Sequence, residues 1–388
     1  MTQSLLSNAA TEAQPQAWLR SASWDITFIA APAFISSALA LIFRENFEAC
    51  RSLPLWAWVA FVLLIDVAHV YATLFRTYFD PDAFRKNKSL LIFAPLACWI
   101  VGALLYSLNA LYFWRVLAYL AVFHFIRQQY GFVALYSRKE PASQQKYRRL
   151  DELLVYLSTI YPLLFWHTNL PRNFSWFVDG DFVSSCPAIV ADICFVAYVV
   201  VGILYALKEL ICLKNNGTFN IPKNLIVAGT ALSWWVAIVA VNSDMSFTMV
   251  NVVSHGIPYM ALIWLYHRNH AGGAAVSEFL AGLGDAKDNS EPFFCAENMK
   301  LLTKVIMSFV PAFVVFLCLL AYMEEGLWAG FVWREHIEVF RPFFALPMIR
   351  DGSLLALLVP LLSLPQSTHY VLDGFIWRVK DRSNVWSA

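Results

Sequence analysis

The chain has 388 residues, of which 59% are hydrophobic and 14% charged, with a formal net charge of +1. A soluble domain has roughly 45–50% apolar and about 25% charged residues, so this composition does not suit a water-facing surface. Nor does it suit a disordered chain, a secreted disulfide scaffold or a nucleic-acid-binding domain, which would need a basic excess for phosphates.

Many membrane spans are the alternative at this length. Residues 1–23 read as a polar tail. They lack the basic n-region and short apolar h-region of a cleavable signal. A bilayer core needs about 20 mostly apolar residues per helix. That rule places ten spans within residues 24–379, as a single transmembrane domain. They run Trp24–Phe43, Pro54–Tyr78, Leu90–Asn109, Leu111–Tyr136 and Glu152–Thr168. Ala188–Leu213, Asn224–Val241, Ser246–Tyr266, Leu301–Ala321 and Ser353–Val379 follow, and residues 380–388 form a short tail. Short strands alternating in and out are missing, so a β-barrel does not fit. The expected fold is an all-α polytopic membrane helix bundle.

Lysine and arginine in short loops set the orientation. Every even-numbered span exits into a basic segment: Arg76, Arg85, Lys86 and Lys88; then Arg138 to Arg149; then Lys208, Lys214 and Lys223; then Arg268, Lys287 and Lys300; then Arg378, Lys380 and Arg382. The opposite loops carry acids, among them Asp179, Asp181, Asp244, Glu324 and Glu325. Both termini are therefore expected in the cytoplasm, in a multi-pass protein of the bacterial inner membrane. Two loops are longer. His267–Lys300 is expected inside, and Tyr322–Gly352 outside as an interfacial helix with Trp328 and Trp333. Trp114, Trp166, Trp264 and Trp377 read as interface anchors. The seven cysteines are scattered, with no CxxC, and read as small hydrophobes.

Ionisable groups inside a span are costly and mark function by default. Span two holds Asp66 and His69, and span four holds His124, Arg127, Gln128 and Gln129. Span eight holds Asn251 and His255, and span ten holds Gln366, His369 and Asp373. All four spans run in the same direction. Each histidine lies about 9 to 12 residues before the basic end, roughly 13–18 Å deep at 1.5 Å per residue. Four parallel helices thus place a histidine near one plane. Partners three or four residues away share the face of each: Asp66 with His69, Gln128 with His124, Asn251 with His255, and both Gln366 and Asp373 with His369.

A lone histidine in a span is more often a helix-to-helix hydrogen-bonder. Four at one depth, each with a polar neighbour, point instead to one shared metal site. His69, His124, His255 and His369 are the expected ligands. Asp66 and Asp373 would be ligands too, or would orient the imidazoles and shuttle protons. Imidazole with carboxylate favours iron, while zinc, copper and haem remain open. Gln128 and Gln366 would orient oxygen or water. Arg127 is deep for a charge and is expected to pair with Asp66, Asp373 or an anionic substrate group, with Asn251 also on the substrate side. Gln129, off the His124 face, reads as packing. His167, His336 and the YHRNH pair His267 and His270 read as rim or structural residues. No Walker loop, dinucleotide glycine pattern or GxSxG is present, so an oxidase would need an external electron donor or a dioxygenase reaction that needs none.

The histidine set His69, His124, His255 and His369 resembles, in layout, that of bacterial polytopic histidine-dependent membrane oxygenases of the Brp/Blh carotene dioxygenase type. The HxxxH and HxxHH boxes of membrane desaturases are absent. DVAHVYATLFRTYFD, HFIRQQYG and THYVLDGFIWR look like signature segments of a bacterial membrane family. The resemblance implies single histidines on separate spans around one iron, and oxygenation of a lipophilic substrate that arrives laterally from the bilayer. The alternatives are a proton- or cation-coupled transporter using the same polar layer, and a haem-binding electron carrier.

Overall fold

The computed structural model describes residues 16–50, 52–184, 186–216, 219–270, 303 and 305–376. The C-terminal tail, the basic residues Arg378, Lys380 and Arg382, Trp377 and most of the expected loop His267–Lys300 lie outside the described residues. Within them all regular structure is helical. Eight helices are long and apolar enough to cross a membrane: α1 (Ala22–Ile42), α2 (Leu55–Arg76), α3 (Lys88–Leu108), α4 (Ala110–Tyr136), α6 (Ala188–Asn216), α7 (Ile221–Ala240), α8 (Asp244–His270) and α9 (Val310–Trp333). The pair α10 (Gly352–Leu362) and α11 (Leu364–Ile376) is together long and apolar enough to be a ninth, and is bent by 46°. The bend falls where Pro365 opens the second helix, because proline lacks the N–H that would continue the first.

α5 (Arg148–Thr168) corresponds to the expected fifth span. It has the length, 21 residues, but is more polar than the others. Asp151, Ser158 and Thr159 are buried, so its polar stripe faces protein. It packs chiefly on α6, and also on α4 and α7. The expected ninth span ends too early. Helix continues past Ala321, which carries Glu324 and Glu325 into the bundle instead of an outer loop. The segment after it holds only short helical turns, at Ile337–Phe340 and Arg341–Ala345.

The helices sort by burial. α8 is central, with 72% of its apolar window buried, whereas α3 and α6 have only 17% and form the periphery. Leucine, isoleucine, valine and phenylalanine side chains such as Phe93, Leu104, Ile193 and Val196 cover that outer surface, as lipid requires. α8 packs on α1 and α2, while α11 packs on α2, α3 and α4. The four histidine-bearing helices are therefore neighbours at the middle of the bundle. Two of the expected interface anchors are core residues: Trp166 is fully buried among Phe174, Phe182 and Phe247, and Trp114 is also buried.

Near the basic end, five charges are buried together. Lys223 lies 2.7 Å from Glu140 and from Glu209, and 3.4 Å from Asp151. Lys208 lies 2.6 Å from Asp151 and 2.5 Å from Glu209. Asn220 donates to Glu140 and Asn224 to Glu209. Lys208 and Lys223, expected as loop charges, thus tie α5, α6 and α7 to the turn after α4. Two ammonium groups face three carboxylates, and such a cluster tolerates loss of a cation poorly because buried charge is left unpaired. We expect Lys223→Met to destabilise the protein by about 3–5 kcal/mol in detergent unfolding. Arg85→Gln, on an exposed helix, should leave the transition where it is.

Candidate metal centre

His69, His124, His255 and His369 are each 0–2% exposed, and one ring nitrogen of each lies within 4.8 Å of the other three. The Nε2 atoms face inward. His124 and His255 are 3.0 Å apart there, His255 and His69 3.2 Å, and His369 and His124 3.0 Å. The rings form a pinwheel. His69 and His124 lie opposite each other and nearly parallel, at 15°. His255 and His369 stand across them at 66° to 88°.

Close helix contact makes this convergence possible. A Cβ on Gly256 would come within 2.8 Å of the Ile65 side chain and 3.5 Å of the His69 Cβ. Without a side chain at that position, α8 approaches α2 closely, and His255 lies beside His69. The stretch of α2 before His69, Trp58–Val67, is a π-helix, a form that recurs near functional sites.

Behind the rings, the Nδ1 atoms meet different partners. His124 Nδ1 is 3.3 Å from Asp373 Oδ2. The Tyr259 hydroxyl donates to Asp373 Oδ1 at 2.7 Å. Thr73 Oγ1 is 2.8 Å from the Tyr259 hydroxyl and 2.5 Å from His369 Nδ1. The direction of this chain follows from counting protons. An ionised Asp373 only accepts, so the proton of Tyr259 goes to it and the Tyr259 oxygen accepts from Thr73. Thr73 has then spent its hydrogen and must accept from His369 Nδ1–H. A proton on His124 Nδ1 would likewise face Asp373 Oδ2, 3.3 Å away. With Asp373 ionised and both Nδ1 atoms protonated, the two Nε2 atoms present lone pairs to each other across 3.0 Å.

Two bare lone pairs at that distance repel unless something positive lies between them. A transition metal fits. With metal–nitrogen bonds of about 2.0–2.1 Å, two imidazole nitrogens on one ion sit about 2.9–3.4 Å apart, and the three observed separations fall within that range. Hydrogen bonds from Nδ1–H to a carboxylate or hydroxyl are what metal-bound histidines ordinarily make. Asp66 and Asp373 both sit on the Nδ1 side of the rings, away from the converging Nε2 atoms. Asp66 is 3.6 Å from His69 Nδ1, beyond hydrogen-bond reach. The Nδ1 of His255 has no hydrogen-bond partner. That ring is instead held flat against Phe125, with centroids 3.6 Å apart.

Several expected site residues are placed elsewhere. Arg127 is exposed, and its guanidinium donates to the Tyr156 hydroxyl at 2.7 Å and lies over Tyr130. It is therefore not a partner of Asp66 or Asp373. Its position, 300° round the helix from His124, lets a long side chain swing outward. Asn251 does not hold His255, because its amide donates to the Phe247 carbonyl of its own helix. Gln128 donates to the backbone carbonyl of His255 at 2.9 Å and so ties α4 to α8. Gln366 lies in the wall of a neighbouring cavity. Gln129 is a packing residue, accepting from Thr230. His167 hydrogen-bonds Tyr119, and the His267 ring meets the Phe75 carbonyl.

Thr73, Tyr259, Glu324 and Gly256 were not singled out from the sequence. Glu324 is buried and accepts from Tyr71, and both Glu324 and Glu325 lie within electrostatic range of Asp66. Only the acidic pair carried a signal, two adjacent glutamates just past an apolar run. Hydroxyls and a glycine inside a span are too common to stand out. No family model, curated protein or solved structure matches the chain.

We expect Asp373→Asn and Thr73→Val each to weaken metal retention by about 10–100-fold, measured by competition with a chelator. Gly256→Val should weaken it as well, although it removes no ligand. Retention unchanged in all three would detach this network from the metal.

Proposed function

We propose that the protein is an integral-membrane metalloenzyme that oxidises a lipophilic substrate. His69, His124, His255 and His369 hold one metal ion, with non-haem iron the preferred occupant given two nearby aspartates. The observation that carries this reading is the convergence of four buried imidazoles, with Nε2 atoms 3.0–3.2 Å apart. The layout resemblance to carotene dioxygenases points the same way, as does an apolar outer surface suited to lateral substrate arrival. The membrane would be the bacterial inner membrane.

When bound, iron supplies Lewis acidity and redox chemistry with oxygen. The chain's own residues do the rest. Asp373 fixes the His124 tautomer and, through Tyr259 and Thr73, that of His369. Phe125 keeps one side of the site dry, which strengthens every electrostatic contact within it. Electrons for an oxidase reaction would come from a separate donor, whereas a dioxygenase reaction would need none.

A second reading, a proton- or cation-coupled transporter, is favoured by one observation. The bend beside Pro365 breaks the span that carries His369, and broken spans at a polar layer are a transporter feature.

Metal analysis of protein purified without chelators separates the two. The enzyme reading expects close to one transition metal per chain and no Soret band. It also expects loss of that metal in His69→Ala and His369→Ala but retention in His336→Ala. Less than about 0.2 metal per chain would overturn it in favour of transport, and a Soret band would turn it to haem.

A further inference from the structure

Toward the end opposite the basic loops lies a cavity of about 420 Å³. Its walls are aromatic. Trp114, Trp328 and Trp333 stand together with ring centroids 5.7–6.1 Å apart. Trp58 also lines the cavity, its ring tilted at 31° to that of His336 with centroids 4.0 Å apart. Three carboxylate residues, Asp179, Glu325 and Glu335, complete the lining, and no lysine or arginine is among the lining residues. The nearby Arg334 directs its guanidinium at the carbonyls of Phe344 and Leu346, and Arg115 directs its own at Gly180.

Tryptophan faces attract cations through the ring quadrupole, most strongly when water is excluded. Carboxylates alone would hold small hydrated metal ions or lysine. Carboxylates set among four indoles suit instead a large, weakly hydrated cation that presents C–H surface and positive charge together. We infer that this cavity binds an organic ammonium group. The cavity is linked to the metal layer along the helix that carries His369: Gln366 in its wall is one turn before that histidine. An ammonium headgroup seated there leaves an attached apolar chain free to extend toward the histidines. Only that last link, the cavity as the mouth of the metal site, rests on the proposed function.

The test uses the full-length protein in a neutral maltoside micelle. Binding of choline, and of dodecyltrimethylammonium, is compared by calorimetry with that of 3,3-dimethylbutan-1-ol, the uncharged carbon isostere of choline. We expect at least one of the two cations to bind about tenfold or more tightly than the isostere. Binding by both indicates a site open to free ammonium compounds, whereas binding by the amphiphile alone indicates a lipid headgroup. Trp58→Leu and Glu325→Gln should each weaken cation binding at least about tenfold with metal content unchanged. Glu335→Gln, at an exposed position that no packing depends on, should weaken it by a smaller factor. Equal binding of the isostere, no binding of either cation, or indifference to all three substitutions would overturn the inference. Metal content is measured on the same samples. A metal-free protein that binds ammonium would defeat the enzyme reading alone, and a metal-loaded protein that does not would defeat this inference alone.

Discussion

Four imidazole nitrogens converge in an apolar interior, and with Asp373 ionised and protons on the Nδ1 atoms of His124 and His369, two of them turn lone pairs inward. Like-charged electron density at 3.0 Å in a medium of low dielectric is unfavourable, and a cation at the centre reverses its sign. Much of the surrounding architecture serves to hold that arrangement. Gly256 lets α8 meet α2, Gln128 joins α4 to α8 through the His255 carbonyl, and Asp373 reaches from α11 to the ring of His124 on α4. Each contact joins two of the histidine-bearing helices, so the site and the packing of the bundle depend on each other.

The two ends of the bundle do different work. Toward the basic end, Lys208 and Lys223 are locked to Asp151, Glu140 and Glu209. A satisfied ionic cluster fixes α5, α6 and α7 to the turn after α4 and leaves little room for motion. Toward the other end the polar groups are carboxylates set among tryptophans around open space. The bundle thus pairs an ion-paired, closed end with an end that opens into a chamber.

The histidine layer could be read from sequence because depth along a helix is linear in residue number. Counting from the basic end was enough to bring His69, His124, His255 and His369 together. Facing could not be read as well. Arg127 and Gln128 are adjacent in sequence to each other and close to His124, yet one points out to Tyr156 and the other across to α8. A helical wheel gives the direction of a Cβ but not the route of a long side chain. Thr73 and Tyr259 were invisible for another reason. Thr73 is 296 residues from His369 and Tyr259 114 residues from Asp373, and nothing local marks a threonine or tyrosine in a span as part of a hydrogen-bonded chain. Glu324 and Glu325 were misplaced because a hydropathy window stops at the first acids, whereas the helix itself continues where neighbours such as Tyr71 supply a donor.

By itself the sequence determined the class of the protein, a bundle of membrane-length helices, and the level at which its polar residues gather. Both depend on local quantities, apolar run length and residue spacing, which burial in lipid makes decisive. Tertiary structure decided which nitrogen of each imidazole faces the centre, which carboxylates stand behind the rings, and where a chamber opens. Those outcomes depend on how closely helices approach and on which hydroxyls complete a proton count. Packing sets both among residues up to 296 positions apart.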